Sequence, residues 1–268
     1  MVNTYGYNRK TKAEDKKILA AVQRHHNIVA SRGFYVVMTS LVGSQNYDLD
    51  HKGSDIDTYS FILPSAEEFA NAEPTKVGMI EAKDGHCNYK DIRDALNLLK
   101  KASPNSVEYF TSKYKVYNPV FESLLKEYLD DNRKLWDMIH CNYNHMIGAI
   151  SGMTCQLLMR NMPAGKRYSH ALRMDNMYYH FLNSYNASAV LDMKMGGDRD
   201  LALEAKCDKN TAHDQDYNDR CEKIAEILET RVDNFTITDE QREIEDRGNK
   251  LIKELQLRLF KQYLMEIK

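Results

Sequence analysis

The chain has 268 residues, with 37 Lys and Arg against 39 Asp and Glu and a formal net charge of -2. Apolar residues at 43% and charged residues at 28% fit a globular chain of one large or two small domains, and the near-neutral balance gives no bulk electrostatic case for binding nucleic acid or membrane. No apolar run reaches the roughly 18 residues of a membrane span, the opening MVNTYGYNRKTKAEDKK lacks the apolar core of a signal peptide, and five scattered cysteines form no CxxC pair, so a cytoplasmic chain with reduced thiols and neither a disulfide framework nor a structural zinc site is expected.

Lys12 to Ser31 carries Ile18, Ala21, Val22, Ile28 and Val29 at near-helical spacing, closed by Gly33, which predicts a first helix. Phe34 to Val42, rich in β-branched and aromatic residues, reads as a buried strand, and Asp57 to Leu63 as a second, ended by Pro64. A polar loop, Gln45 to Ser54, joins them. A helical stretch at Ala66 to Ala72 precedes two candidate strands, Lys76 to Ala82 and His86 to Lys90. Asp91 is placed to cap a helix over Ile92 to Ala102, which Ser103-Pro104-Asn105 is expected to stop, with a further short element from Val107 to Phe110.

From Pro119 onward the strand signal fades and helical periodicity runs through Glu122 to Leu129, Arg133 to Arg160, Lys166 to Leu182, Asp219 to Val232 and Asp239 to Ile267. Thr238 and Gln241 form a capping box before the last of these. Asp208 to Asp219 reads as a connecting loop. The expected fold is therefore α+β: a small mixed-sheet domain over residues 1–118, followed by an all-helical domain over 119–268.

Chemistry concentrates in one unit. An apolar strand runs into Gly43-Ser44, a polar loop of ten residues follows, and Asp55 and Asp57 stand two apart as the next strand begins, which puts both carboxylates on one face. Two hard oxygen donors beside a small-residue turn suit magnesium or manganese carrying a phosphate chain. An isolated DxD is usually a solvated turn, but here GS, the gap and SDID occur together between two apolar strands. In the helical half, Lys166, His170 and Arg173 lie at spacings of four and three, one helix face that could meet phosphates or simply face solvent.

The string VGSQNYDLDHKGSDIDTYSFILP resembles the signature of the DNA polymerase beta-like nucleotidyltransferase superfamily. More narrowly, GSQNYDLDHKGSDID, SPNSVEYF and KRYSHALRM are similar to a bacterial and phage branch described as YcgL-like, over roughly Phe34 to Arg173. The resemblance implies that Asp55 and Asp57 hold Mg2+, or Mn2+, and that Gly43 and Ser44 contact a nucleoside triphosphate. It implies transfer of a nucleoside monophosphate from ATP or another triphosphate to an acceptor, which could be RNA, protein or a small molecule, with release of pyrophosphate.

Active members of that superfamily often carry a third carboxylate on a later strand. The corresponding strand here, His86-Cys87-Asn88-Tyr89-Lys90, has none; Asp91 reads better as a helix cap, and Glu81 and Glu108 stay open as candidates. The alternative reading is thus a nucleotide-binding module without turnover, and a third is a helical adaptor with an incidental DxD. Asp48, Asp50 and Gly53 fail as an EF-hand because Lys52 and Tyr59 occupy ligand positions. The spacing of His140, Cys141 and His145 does not align metal ligands on a helix, and the many tyrosines, Tyr178-Tyr179 included, read as packing residues.

Overall fold

The Glu14 N–H donates to the Thr11 hydroxyl at 3.3 Å while the Thr11 N–H donates to the Glu14 carboxylate at 2.7 Å. This capping box starts α1 (Lys12–Ala30) in the computed structural model, which describes residues 10–71, 73–193 and 197–266. Helix α1 covers one face of a five-stranded sheet built from β1 (Tyr35–Val42), β2 (Asp57–Leu63), β3 (Val77–Ala82), β4 (Gly85–Asp91) and β5 (Lys115–Tyr117). The strand order is β3-β4-β2-β1-β5, with β4 parallel to β2 and the other pairings antiparallel. The register sets Val42 opposite Asp57 and Tyr59 opposite Asn88.

Alternation along the strands divides the sheet chemically. Toward α1 point Leu41, Val36, Ile62 and Cys87, packed on Ile18, Val22 and Val29. Two histidines of α1 reach hydroxyls on the same face: His25 Nδ1 lies 2.9 Å from Thr58 Oγ1, and His26 Nδ1 lies 3.0 Å from Thr39 Oγ1, itself 2.7 Å from Ser60 Oγ. Buried polar atoms paired in this way fix α1 on the sheet without the cost of orphaned donors.

Beyond β2 a short helix α2 (Ala66–Ala70) occupies the first part of the stretch expected to be helical to Ala72, a residue outside those described. The opposite sheet face meets α3 (Ile92–Lys100) and α4 (Pro104–Thr111). Asp91 caps α3, accepting the Arg93 N–H at 2.8 Å and pairing with its guanidinium. The helix expected over Ile92 to Ala102 stops before Ser103-Pro104-Asn105 as expected, and the short element expected from Val107 to Phe110 starts earlier, as α4: Ser103 is its N-cap and Pro104 its first helical residue, where the missing N–H costs nothing.

The second half is helical: α5 (Glu122–Leu129), α6 (Asn132–Ile139), α7 (Tyr143–Met159), α8 (Ala164–Asn183), α9 (Asp198–Cys207), α10 (Asp214–Asp233) and α11 (Asp239–Glu266). The capping box before α11 forms, with Thr238 and Gln241 bonding each other's backbone N–H at 3.0 and 3.2 Å. The single helix expected over Arg133 to Arg160 is two. Asn142 accepts the His145 N–H and restarts the chain as α7, while His140 is swallowed between the Trp136 and Phe181 rings. The polar stretch expected to be a loop to Asp219 already joins α10 at Asp214, and neither α9 nor the three-residue β5 was anticipated.

One hydrophobic cluster runs from Met38 and Phe61 of the sheet through Leu96 and Tyr128 to Leu255 and Leu259 of α11, so both halves share a core. Tyr263 of α11 donates to the Pro64 carbonyl, and Tyr128 donates to Glu254 at 2.7 Å. Among the described residues no helix is long and apolar enough to cross a membrane.

Candidate functional site

The strand β1 ends at Val42, and Gly43 turns the chain with φ +81°, a conformation glycine adopts without penalty. A single 3-10 turn, Ser44–Tyr47, follows. Its floor is the carboxylate of Glu108 from α4, which accepts the Gly43 N–H at 2.6 Å and lies 3.4 Å from Asn46 Nδ2. Asn46 also donates to the Leu41 carbonyl and accepts from Ser112. The loop beyond is pinned by Lys10, whose ammonium lies 2.7 Å from both Asp48 and Asp50. Those two aspartates therefore serve loop structure.

At the other end of the loop, Ile56 turns inward onto the α1-facing cluster, so Asp55 and Asp57 on either side of it turn outward into one cleft. The Ile56 N–H donates to the Asp84 carbonyl at 2.8 Å, which ties this segment to the β3–β4 turn. Asp57 Oδ1 accepts the His86 backbone N–H at 3.2 Å and lies 2.9 Å from His86 Nδ1. Hydrogen bonding to Asp57 raises the His86 pKa above its ordinary value, with the charges of Asp57, Asp55 and Glu81 acting in the same sense.

The facing wall comes from the helical half. Lys166, His170 and Arg173 on α8, spaced four and three as their face requires, line the same cleft of about 400 Å3 with Ser169 between them, together with Gly43, Ser44, Asp55 and Asp57. Lys206 of α9 joins them, its ammonium bonded to the Leu49 carbonyl at 2.7 Å. Gly165 makes this possible: a Cβ there would lie 2.0 Å from the Ala205 carbonyl oxygen, so α9 packs backbone to backbone on α8. The Arg173 guanidinium sits 4.6 Å from the Tyr47 ring centroid, a cation–π contact that aims it across the turn.

This wall is electropositive and crowded. Burial, then the charges of Arg173, Lys166, Lys206 and Arg160, push His170 down to about 3, so it is neutral. Burial lowers Lys206 as well, with Lys166 and Arg173 adding repulsion. Burial raises Glu108, against the opposing pull of Arg173.

All seven residues singled out from the sequence thus line one cleft. Gly43 differs in one respect: its N–H is spent on Glu108, so its contribution is the turn itself. Of the carboxylates considered for the third position, Asp91 is committed to Arg93 and the α3 cap, as expected, Glu81 sits exposed on β3 opposite His86, and Glu108 lies beneath the turn. Sequence reading missed Lys206, Tyr47 and His86. His140 is a core residue with both ring nitrogens 2.7 Å from backbone carbonyls, and burial holds it down at about 4.

Among the described residues no group of three or more His, Cys, Asp or Glu is arranged to hold a metal ion. An all-protein cage of the calcium kind is therefore not built here. Asp55 and Asp57 together fit the weaker demand of Mg2+, which needs one or two carboxylates when phosphates and water complete its shell. The sequence matches no protein-family model and no curated protein.

Proposed function

We propose that the chain is a metal-dependent nucleotidyltransferase that binds a nucleoside triphosphate in this cleft. One observation carries the reading: two carboxylates on the sheet wall face Lys166, Arg173 and Lys206 on the helical wall, with the Gly43-Ser44 turn between them. Burial, and after it the charges of Lys166 and Arg173, lower both His170 and Lys206, so positive charge is concentrated on the wall where a polyanion would bind. A triphosphate would lie along α8 and α9, Arg173 engaging it by its planar fork and the lysines as point charges. Asp55 and Asp57 would hold Mg2+, which supplies charge neutralisation and lowers the pKa of an attacking hydroxyl. The resemblance of the GS to SDID unit to nucleotidyltransferases points the same way.

The test is incubation with Mg2+ and α-labelled triphosphates beside RNA, protein and small-molecule acceptors. Label transfer with pyrophosphate release, lost in Asp57→Asn, is expected. No transfer, together with unchanged triphosphate affinity in Asp57→Asn, sinks the reading. A second reading, a nucleotide-binding module without turnover, is favoured by one observation: the β4 positions beside Asp57 carry His86 and Asn88 in place of a carboxylate. It predicts metal-dependent binding with no pyrophosphate released.

A further inference from the structure

We propose that a second chamber, on the far side of Asp57 from Lys166 and Lys206, is the acceptor site and that it receives a nucleoside with a free hydroxyl. The proposal rests on the nucleotidyl-transfer reading. The chamber measures about 380 Å3, the lower range of small-ligand pockets, and shares Gly43, Asp57 and Arg173 with the triphosphate cleft. Its floor is the sheet face on which Val42, Asp57, Tyr59, His86, Asn88 and Met79 fall by strand register, and its rim is the start of α4.

Position assigns the acceptor role. Attack on the α-phosphorus runs in line with the departing pyrophosphate. With the pyrophosphate held by Lys166 and Lys206, the nucleophile must approach from beyond Asp57. The acceptor oxygen forms a bond to the α-phosphorus, the bond from that phosphorus to the bridging oxygen of pyrophosphate breaks, and the hydroxyl proton passes to water in the open chamber.

Lining assigns the chemistry. The triphosphate cleft is walled by cations, whereas this chamber adds no lysine or arginine to the shared residues and Glu108: it adds the Tyr59 and Tyr109 rings, 4.6 Å apart, the Met79 side chain, the carboxamides of Asn88 and Asn105, and the His86 imidazole, which is engaged by Asp57. Flat aromatic and thioether surface beside carboxamides is what a nucleobase uses, stacking on one and pairing its edge with the other. An anionic acceptor would find no second cation cluster here. A free nucleoside and the terminal nucleoside of an RNA present the same chemistry.

Titration of the full chain with adenosine, guanosine, cytidine and uridine, followed by ligand-observed NMR with ribose as the base-free control, reads the chamber without turnover. At least one nucleoside should bind about tenfold tighter than ribose, and Asn105→Ala and Asn88→Ala should each weaken it by about tenfold, the scale of a lost base-edge contact, while ATP affinity stays level. Lys206→Ala should do the reverse. Asn105 is exposed, so its truncation removes no buried packing, whereas Asn88 also donates to the Thr58 carbonyl at 3.2 Å, which makes Asn105→Ala the deciding variant. Nucleosides binding no better than ribose, or losing affinity with Lys206→Ala rather than Asn105→Ala, overturns the assignment. Nucleoside binding through Asn105 without any triphosphate binding sinks the transfer reading and leaves the chamber's ligand standing. Label from α-labelled ATP appearing on free nucleosides or on a single-stranded hexanucleotide with a free 3′ hydroxyl tells the two sources apart; label on neither, while a protein or aminated sugar accepts it, overturns the acceptor role.

Discussion

The Gly43 N–H donates to the Glu108 carboxylate at 2.6 Å, a bond that joins the turn after β1 to a helix 65 residues further along the chain. The same carboxylate lies near Asn46 and below Arg173, so one buried group sets the turn, its following residues and the guanidinium that crosses them. Glu108→Ala would leave the Gly43 donor without its partner, a loss of about 1–3 kcal/mol. Glu108→Gln keeps an acceptor oxygen at that place and should cost less. Urea midpoints would rank the two variants; an equal loss in both would show that the charge, and not the acceptor, holds the turn.

Gly85 governs where the aspartates stand. A Cβ at this position would lie 2.0 Å from the Ile56 carbonyl oxygen, so Gly85→Ala must push away the very residue between Asp55 and Asp57. At Gly43 a Cβ would meet Asp57 Oδ2 at an ordinary 3.8 Å, and the cost comes from the backbone conformation alone, φ 81° and ψ -157°, about 1–3 kcal/mol. Gly85→Ala is therefore expected to be the more destabilising and to abolish Mg2+-dependent triphosphate binding. Calorimetric titration with ATP and Mg2+ decides: unchanged affinity in Gly85→Ala would mean that Ile56 does not set the carboxylates.

What was legible in the sequence follows from range. The strands β1 and β2, the outward pair Asp55 and Asp57, and the shared face of Lys166, His170 and Arg173 are all set by local periodicity, and each stands where that periodicity places it. Lys206 was not legible because it reaches the cleft only through the Gly165–Ala205 backbone approach, a tertiary contact that its own neighbours do not announce; the glycine just before Lys166 was the one available signal. At Ser103-Pro104 the stop of α3 was legible but the start of α4 was not, because proline both ends helices and opens them, and the next helix starts there only because the residues after it bury an apolar face, as Val107 and Phe110 do. The expected long helix is broken between His140, the C-cap of α6, and Asn142, whose side chain accepts the His145 N–H and starts α7.

Lys206 and Arg173 should contribute differently to ligand affinity. Both line the cleft proposed to take a triphosphate, but Arg173 is already oriented by the Tyr47 ring. Arg173→Lys removes the planar fork and keeps the charge, whereas Lys206→Met removes a charge whose field also weighs on His170. Lys206→Met should weaken ATP binding by about tenfold at low salt and flatten its salt dependence. Arg173→Lys should weaken binding while leaving the salt slope nearly intact. Titrations with a fluorescent triphosphate at several salt concentrations check both; a steeper salt slope in Lys206→Met would exclude direct phosphate contact.

His170 also sets an acid sensitivity whose sign is fixed. Its pKa falls to about 3 in the folded chain, chiefly by burial, against an ordinary value near 6.5 in the unfolded chain. Between those values the unfolded state binds the extra proton, so stability is undiminished above about pH 6.5 and falls as pH drops below it. His140, held at about 4, and His26, lowered by burial, act in the same sense, whereas His86 and His213, raised by Asp57 and Asp208, act oppositely. The informative quantity is therefore the difference between the parent chain and His170→Asn in melting temperature from pH 7 to pH 5. The variant should lose less on acidification. Bound ATP with Mg2+ should narrow the difference, because phosphate oxygens beside His170 favour its protonated form. An identical pH slope in parent and variant would mean that the imidazole is solvated in the free protein, and that the crowded positive wall of the cleft is more open than its geometry indicates.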